Sequence, residues 1–266
     1  DELAGTVKLF FQIGEENGNG WKEIVEYVDN NGGIDRVIGL HIWSTLPAGE
    51  ILLLPGPIFA GGLGWKADVI GQGGHGARPD LVKDPIKAAC DFALQISSIP
   101  SNYYDVLDHS VVNVGQIVSG TMGNVFPSEA HLAGGARYYK AGGAEVIADH
   151  IYRMAEGVGK IHGVEIKVDI NLDKGVKPVY NDPELIPHAK ELVKDVDGLE
   201  LSPQTDPICA GDDFCYILER YSGFYGVLGA GAPDAYPQHH AKFDVKESEF
   251  RKGAEFMGRY IADYLS

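Results

Sequence analysis

The order of apolar and polar positions predicts alternating strands and helices at the start of the chain. The run TVKLFFQ, residues 6–12, is almost continuously apolar, which is typical of a strand buried on both faces of a parallel sheet. Apolar residues then recur at helical spacing over 21–28, and RVIGLHI at 36–42 predicts a second strand. A strand, a helix and a strand in succession favour a parallel sheet.

The middle of the chain has a second pattern, of strands and helices in the order β-α-β-β-α-β. This order is typical of a ferredoxin-like unit. We therefore predict an α/β fold in which a domain with a mostly parallel sheet, residues 1–62 and 175–266, is interrupted by an inserted ferredoxin-like domain, residues 63–174. The elements of the insertion are predicted at 65–71, 85–96, 110–117, 131–139, 144–162 and 164–170. Helices near 183–193, 213–220 and 247–265, with a strand at 223–229, are predicted after it.

The predicted first strand stands almost at the beginning of the sequence, after Asp1, Glu2 and Leu3. Central strands seldom begin a domain. We therefore expect an N-terminal portion of this domain to be absent, and it could exist as a separate fragment.

Composition narrows the class of protein. A chain of 266 residues with 44% hydrophobic and 23% charged residues is ordinary for a soluble enzyme. The net charge of −16 argues against binding to nucleic acids or to anionic membranes. The three cysteines form no CxxC pair, which favours a reducing, cytoplasmic location.

Two groups of residues suggest metal chemistry. Glu15 and Glu16 follow the first predicted strand, and neighbours leaving a strand point in different directions, so one can bind a metal while the other moves protons. His41 ends the second strand, and His239 and His240 come late in the chain. Carboxylates with imidazoles suit zinc and related ions. Taken singly, each is more often a solvated turn, a core histidine or a surface pair.

Six segments in order resemble one family, the dinuclear metal amidohydrolases of the aminoacylase and carboxypeptidase family, in the branch of hippurate hydrolase and indoleacetyl-amino-acid hydrolase. The resemblance covers nearly the whole chain. The segments that carry it are FFQIGEENGNG, VIGLHIWSTLPAG, VIGQGGHGARPDLVKDPI, GTMGNVFPSEAHLAGGARYY, GDDFCYIL and HHAKFD.

The resemblance implies a metal centre and a general base. Glu15 would take a proton from water and pass it to the leaving amine. Glu16 and His41 would be metal ligands, and His239 fits the third ligand better than His240 when counted back from Phe243. The family binds two divalent ions in each complete active site, zinc or else manganese, cobalt or nickel.

The resemblance also gives roles to the inserted domain, which would be a lid and a dimerisation domain forming a homodimer. His75 would stabilise the oxyanion, and Asn124 and Arg137 would hold the substrate. A guanidinium group also suits a terminal carboxylate on physical grounds.

One departure from the family pattern matters. The early Cys-Gly-His-Asp motif, which supplies further ligands, is absent, so Glu16, His41 and His239 offer about three protein ligands. We interpret Asp212 and Asp213 as caps of the helix that follows them.

The sequence therefore predicts a metal-dependent hydrolase of the amide bond in N-acyl amino acids or similar small conjugates, with little activity in this chain alone. Two alternatives stay open: a non-catalytic binding or dimerisation module, and an exopeptidase or dipeptidase that uses the same metal site.

Overall fold

The computed structural model describes residues 3–266, which form two compact units. We call residues 3–59 with 179–266 the split unit, and residues 60–178 the inserted unit. The strands are β1 (Val37–Pro47), β2 (Glu50–Leu52), β3 (Gly56–Phe59), β4 (Gly61–Ile70), β5 (Gly74–His75), β6 (Ser110–Ser119), β7 (Val125–Phe126), β8 (Glu129–Tyr138), β9 (Glu165–Ile170), β10 (Val179–Asn181), β11 (Glu200–Leu201) and β12 (Gly223–Gly231). The α-helices are α1 (Trp21–Asn30), α2 (Pro85–Ser97), α3 (Ile99–Asn102), α4 (Gly143–His162), α5 (Ile186–Leu192), α6 (Phe214–Arg220) and α7 (Ser248–Tyr264).

The split unit contains a four-stranded sheet in the order β1-β12-β2-β11. β1 pairs with β12 and β2 with β11 in parallel, whereas β12 and β2 are antiparallel. Every residue of β12 is buried, and Phe224 on this strand packs with Phe256 of α7 in the core. The predicted, mostly parallel sheet is confirmed, with β12 as its buried central strand.

The predicted strand at 6–12 is wrong. This segment forms no strand in the structure, and the side chains of Leu9 and Phe11 are 76% and 88% exposed. A strand needs neighbours that take its backbone N–H and C=O groups, and an apolar run does not reveal whether they are present. The segment is tied instead by single bonds, such as those from Lys8 Nζ to the carbonyl oxygens of Asn31 and Gly33.

The inserted unit has the predicted β-α-β-β-α-β order. Its sheet runs β6-β8-β4-β9, and all three pairings are antiparallel. Along β4, Trp65, Ala67 and Val69 are buried while the residues between them are exposed, and the buried face packs with α2 and α4. The ferredoxin-like insertion is confirmed. The exact limits at 62 and 174 stay predictions.

No helix within residues 3–266 combines the length and the apolar character needed to cross a membrane.

Candidate active site

Three carboxylates meet in the split unit. Glu15, Asp212 and Asp213 each place an oxygen within 4.8 Å of the others. Glu15 belongs to a single 3-10 turn, Glu15–Asn17, which is framed by Gly14 and Gly18 at positive φ. The two aspartates directly precede α6. The turn at the start of the chain and the entry to α6 therefore build one acidic cluster.

Neutral donors hold both aspartates, which are each only 3% exposed. Asp212 accepts hydrogen bonds from the Tyr225 hydroxyl at 3.0 Å and from the backbone N–H of Phe214 at 2.8 Å. Asp213 accepts from the amide of Gln12, whose Nε2 lies 2.7 and 2.9 Å from its two oxygens. Such donors fix the carboxylates in place without neutralising their charge.

The interpretation of these aspartates as helix caps needs correction. Asp212 does accept the N–H of Phe214, as a cap would, but Asp213 makes no side-chain cap bond. Both also face Glu15, which is remote in sequence.

The cluster raises the pKa of Glu15 to about 7. Loss of solvent contributes most, followed by repulsion from Asp212, Asp213 and Glu16. The pKa of Asp213 is raised to about 6, chiefly by burial. A carboxyl group with a pKa near neutrality suits a residue that accepts and returns a proton.

Glu16 points to a different partner from its neighbour. Its Oε2 lies 3.7 Å from Nε2 of His239, and both side chains are about three-quarters exposed. His240 is engaged elsewhere: its ring stacks on Tyr236 with centroids 4.3 Å apart, and its Nδ1 accepts the N–H of Lys242. The structure thus brings together Glu16 and His239, the pair predicted as ligands.

His41 lies on β1, opposite Val227 of β12. Its Nδ1 is 2.6 Å from the carbonyl oxygen of Ile42, so Nδ1 carries the proton and Nε2 keeps its lone pair. Burial raises the pKa of Asp212, and the nearby His41 acts on it in the opposite direction. His41 and the acidic cluster are therefore neighbours in the split unit.

His75, Asn124 and Arg137 all belong to the inserted unit. His75 on β5 pairs in register with Val125 of β7, and the N–H of Gly76 donates to the carbonyl oxygen of Asn124 at 2.9 Å. The structure thus places His75 and Asn124 on one small two-stranded ribbon, where both are exposed.

Arg137 lies on β8 opposite Gly62 of β4. A Cβ atom at Gly62 would come within 2.3 Å of Nη1 of Arg137, so the missing side chain makes room for the guanidinium group. Its place on β8 keeps Arg137 apart from the ribbon that carries His75 and Asn124.

The donor set of the split unit fits a divalent metal ion. Glu16 and His239 offer a carboxylate and an imidazole 3.7 Å apart, and His41 offers a second imidazole. Among residues 3–266, however, the ligand atoms that lie within 4.8 Å of one another as a group of three belong to the acidic cluster, which does not include His41. Carboxylates and imidazoles are ligands that zinc, manganese, cobalt and nickel accept. The carboxylates of the adjoining acidic cluster accept hydrogen bonds from neutral donors, which do not cancel their negative charge. A bound cation would offset that charge.

Sequence reasoning missed four residues that build this site: Asp212, Asp213, Gln12 and Tyr225. The only signal for the aspartates was their place in GDDF, within the segment that resembles the family turn. The contacts of Gln12 and Tyr225 are long-range, and no local spacing predicts them.

Comparison with known proteins identifies the family of the chain. The model of peptidase family M20/M25/M40 matches residues 1–263. The chain therefore belongs to this peptidase family.

Among curated relatives, an N-acetyldiaminopimelate deacetylase of Leuconostoc citreum is 33% identical over 256 residues, 95% of this chain and 65% of the relative. Thermostable carboxypeptidase 2 of Saccharolobus solfataricus is 31% identical over 96% of this chain and 65% of the relative. The chain thus spans about two thirds of the length of these relatives.

Solved structures show the same fold. A proposed aminohydrolase from methicillin resistant Staphylococcus aureus superposes with a TM-score of 0.85 at 27% identity, covering 96% of this chain and 66% of that one. The YXEP protein of Bacillus subtilis, described as a dinuclear metal binding peptidase, gives a TM-score of 0.78 at 22% identity over 96% of this chain and 64% of that one.

Proposed function

We propose that this chain carries the metal centre and general base of a hydrolase that cleaves the amide bond of N-acyl amino acids or similar small conjugates. The observation that carries the proposal is the arrangement at the paired glutamates. Glu15 is half-buried beside the buried carboxylates of Asp212 and Asp213, and Glu16 faces a histidine. Family membership and the similarity to a deacetylase support it.

Each glutamate has its own task in this proposal. Divalent ions, when bound, activate water and polarise the scissile carbonyl group. In this chain Glu16, His41 and His239 would hold one such ion. Glu15, with its pKa of about 7, takes a proton from water and returns it to the leaving amine.

The inserted unit supplies the substrate contacts. His75 stabilises the charge that develops on the carbonyl oxygen, as hydrogen-bond donors do in acyl transfer. Arg137, with room made for it by Gly62, binds the carboxylate of the amino acid through its planar fork, and Asn124 adds a polar contact. The inserted unit also forms the homodimer contact.

Activity of this chain alone is expected to be low. Among residues 3–266 we assign three metal ligands, Glu16, His41 and His239. Three protein ligands suffice for one open zinc site and not for two ions that share ligands. Slow hydrolysis by the metal-loaded chain is therefore the expected result.

The test compares the chain with Glu15→Gln after loading with zinc or manganese. Release of the amino acid from N-acetyl and N-benzoyl amino acids should fall about 10²–10⁴-fold, while metal binding is kept, because only the base is lost. Equal hydrolysis by the two proteins would refute the assignment of the base. Glu26→Gln, on an exposed helix position, serves as the control.

An exopeptidase is the second candidate, because a carboxypeptidase is among the similar proteins. The same experiment with dipeptides separates the two. Faster cleavage of dipeptides than of N-acetyl amino acids would favour the exopeptidase.

A further inference from the structure

The loop that carries His239 is fastened to β1 through Gln238. Nε2 of Gln238 donates to the carbonyl oxygen of Ile42 at 3.2 Å, and its Oε1 lies 3.3 Å from Oγ of Ser44. Ser44 is fully buried, and its single hydroxyl proton is shared between the carbonyl oxygen of Tyr236, at 2.7 Å, and Oε1 of Gln238. Gln238 therefore joins the residue before His239 to the strand that bears His41.

The carbonyl oxygen of Ile42 serves both histidine segments. It accepts the proton on Nδ1 of His41 at 2.6 Å and the amide proton of Gln238 at 3.2 Å. A carbonyl oxygen has two lone pairs, so it can take both donors. The group that fixes the tautomer of His41 is thus also the anchor of the His239 loop.

His239 needs such an anchor. Its φ of 65° makes it the one non-glycine residue at positive φ among residues 3–266. This conformation is unfavourable for a residue that has a side chain, and it persists only where the surroundings hold it. The bonded Gln238 lies directly before His239, and His240 directly after it stacks on Tyr236.

We propose that Gln238 is a positioning residue for the metal centre. Through the carbonyl oxygen of Ile42 it couples the placement of His239 to the strand that bears His41. This inference rests on the proposed function only for the identity of the ligands. The coupling itself is a property of the metal-free chain.

The test uses Gln238→Met, which keeps the length of the side chain and removes both of its hydrogen bonds. In the metal-free protein, long-range ¹H–¹⁵N spectra report the tautomer of His41, and the ³J(HN–Hα) coupling reports φ of His239. We expect the variant to lose the left-handed backbone signature of His239 and to keep the Nδ1-protonated form of His41, because the carbonyl oxygen of Ile42 still accepts that proton. An unchanged coupling at His239 would overturn the proposal.

Zinc ion alone is the probe for the second readout. Residues behind metal ligands typically alter affinity by about 10–100-fold, and the zinc affinity of Gln238→Met should fall by this factor in a chelator competition. Gln204→Met is the matched control, because Gln204 also donates to a backbone carbonyl group, that of Asp206, and lies in the split unit. The control should leave the zinc affinity and both spectra unchanged.

His41→Ala distinguishes a failure of the positioning role of Gln238 from a failure of the ligand assignment. If His41→Ala weakens zinc binding and Gln238→Met does not, the positioning role is refuted and the metal centre stands. If neither variant weakens zinc binding, the ligand assignment fails together with the proposed function. The positioning role is then decided by the metal-free spectra.

Discussion

Two places in the split unit bury carboxylates, and they do so in opposite ways. Glu249, in the first turn of α7, is 4% exposed, and Nζ of Lys252 lies 2.8 Å from its Oε2. Asp212 and Asp213 are each 3% exposed, but their side-chain partners are a tyrosine hydroxyl and a glutamine amide. The first carboxylate carries its own cation, and the other two face Glu15, a third acid.

The difference distinguishes the carboxylate of Glu249, which is paired for stability, from the carboxylates of the acidic cluster, which remain available for function. Burying an unpaired carboxylate is costly, so a protein that only needed stability would be expected to pair or replace it. In the acidic cluster, burial and then repulsion from the neighbouring acids raise the pKa of Glu15 to about 7. Perturbed groups of this kind concentrate at functional sites.

Removing the cation that pairs with Glu249 should give the largest loss of stability. Lys252→Met leaves Glu249 buried and unpaired, and we expect the free energy of unfolding to fall by about 3 kcal/mol. Urea unfolding measures it. The loss should be the same with and without zinc, because this pair lies outside the proposed centre, and a zinc-dependent loss would contradict the comparison.

Removing a neutral donor of the acidic cluster should give the second largest loss of stability. Tyr225→Phe removes the hydroxyl that donates to Asp212 at 3.0 Å, and we expect a loss of about 2 kcal/mol in the metal-free protein at pH 8. Tyr260→Phe is the control: this buried hydroxyl has the Arg36 guanidinium 3.3 Å away, and its loss should cost less. An equal or larger loss for Tyr260→Phe would mean that Asp212 does not depend on its donor.

Glu15 should make stability depend on pH. Its pKa in the folded chain, about 7, is above the ordinary value of 4.5, so the folded state binds the proton more tightly than the unfolded state. The metal-free protein should therefore lose stability as the pH rises from about 4.5 to about 7.

Glu15→Gln should remove this loss. After allowance for solvent screening of a partly exposed group, we expect the variant to gain roughly 1 kcal/mol at pH 8 and almost nothing at pH 4. Thermal unfolding at the two pH values measures the gain. A gain of the same size at both would show that the charge of Glu15 is not its cause.

Exposed pairs should matter least. Lys160 and Glu156 of α4 form an ion pair in which both side chains are about 70% exposed. Lys160→Met should leave the free energy of unfolding almost unchanged, because solvent screens such pairs. A loss comparable with that of Lys252→Met would mean that burial does not govern the strength of these pairs.

Local sequence patterns predicted the strands and helices of the inserted unit well. An element that buries one face repeats apolar and polar residues at a regular spacing. β4 shows it, with Trp65, Ala67 and Val69 inside and Lys66 and Asp68 outside. The same reasoning failed at 6–12, because Leu9 and Phe11 are apolar and yet exposed. Apolar character shows what a segment could bury, and strand pairing depends on neighbours elsewhere in the chain.

The candidate site likewise contains residues that the sequence predicted and long-range contacts that it did not. Glu15, Glu16, His41 and His239 could be proposed because each stands in a recognisable segment. The contact of Asp212 with the hydroxyl of Tyr225 depends on how α6 meets β12, which no spacing reveals. The anchoring of the His239 loop by Gln238 is likewise a long-range contact.

Zinc titration followed by calorimetry tests the central claim most directly, on the chain and on Glu16→Gln, His41→Ala and His239→Ala. His188→Ala is the control, because His188 pairs with Asp263 at 2.7 Å on an exposed part of the split unit. The account predicts that the chain binds zinc, that each of the three ligand variants weakens binding by at least about 100-fold, and that the control does not. Zinc affinity that is unchanged in all three would contradict it.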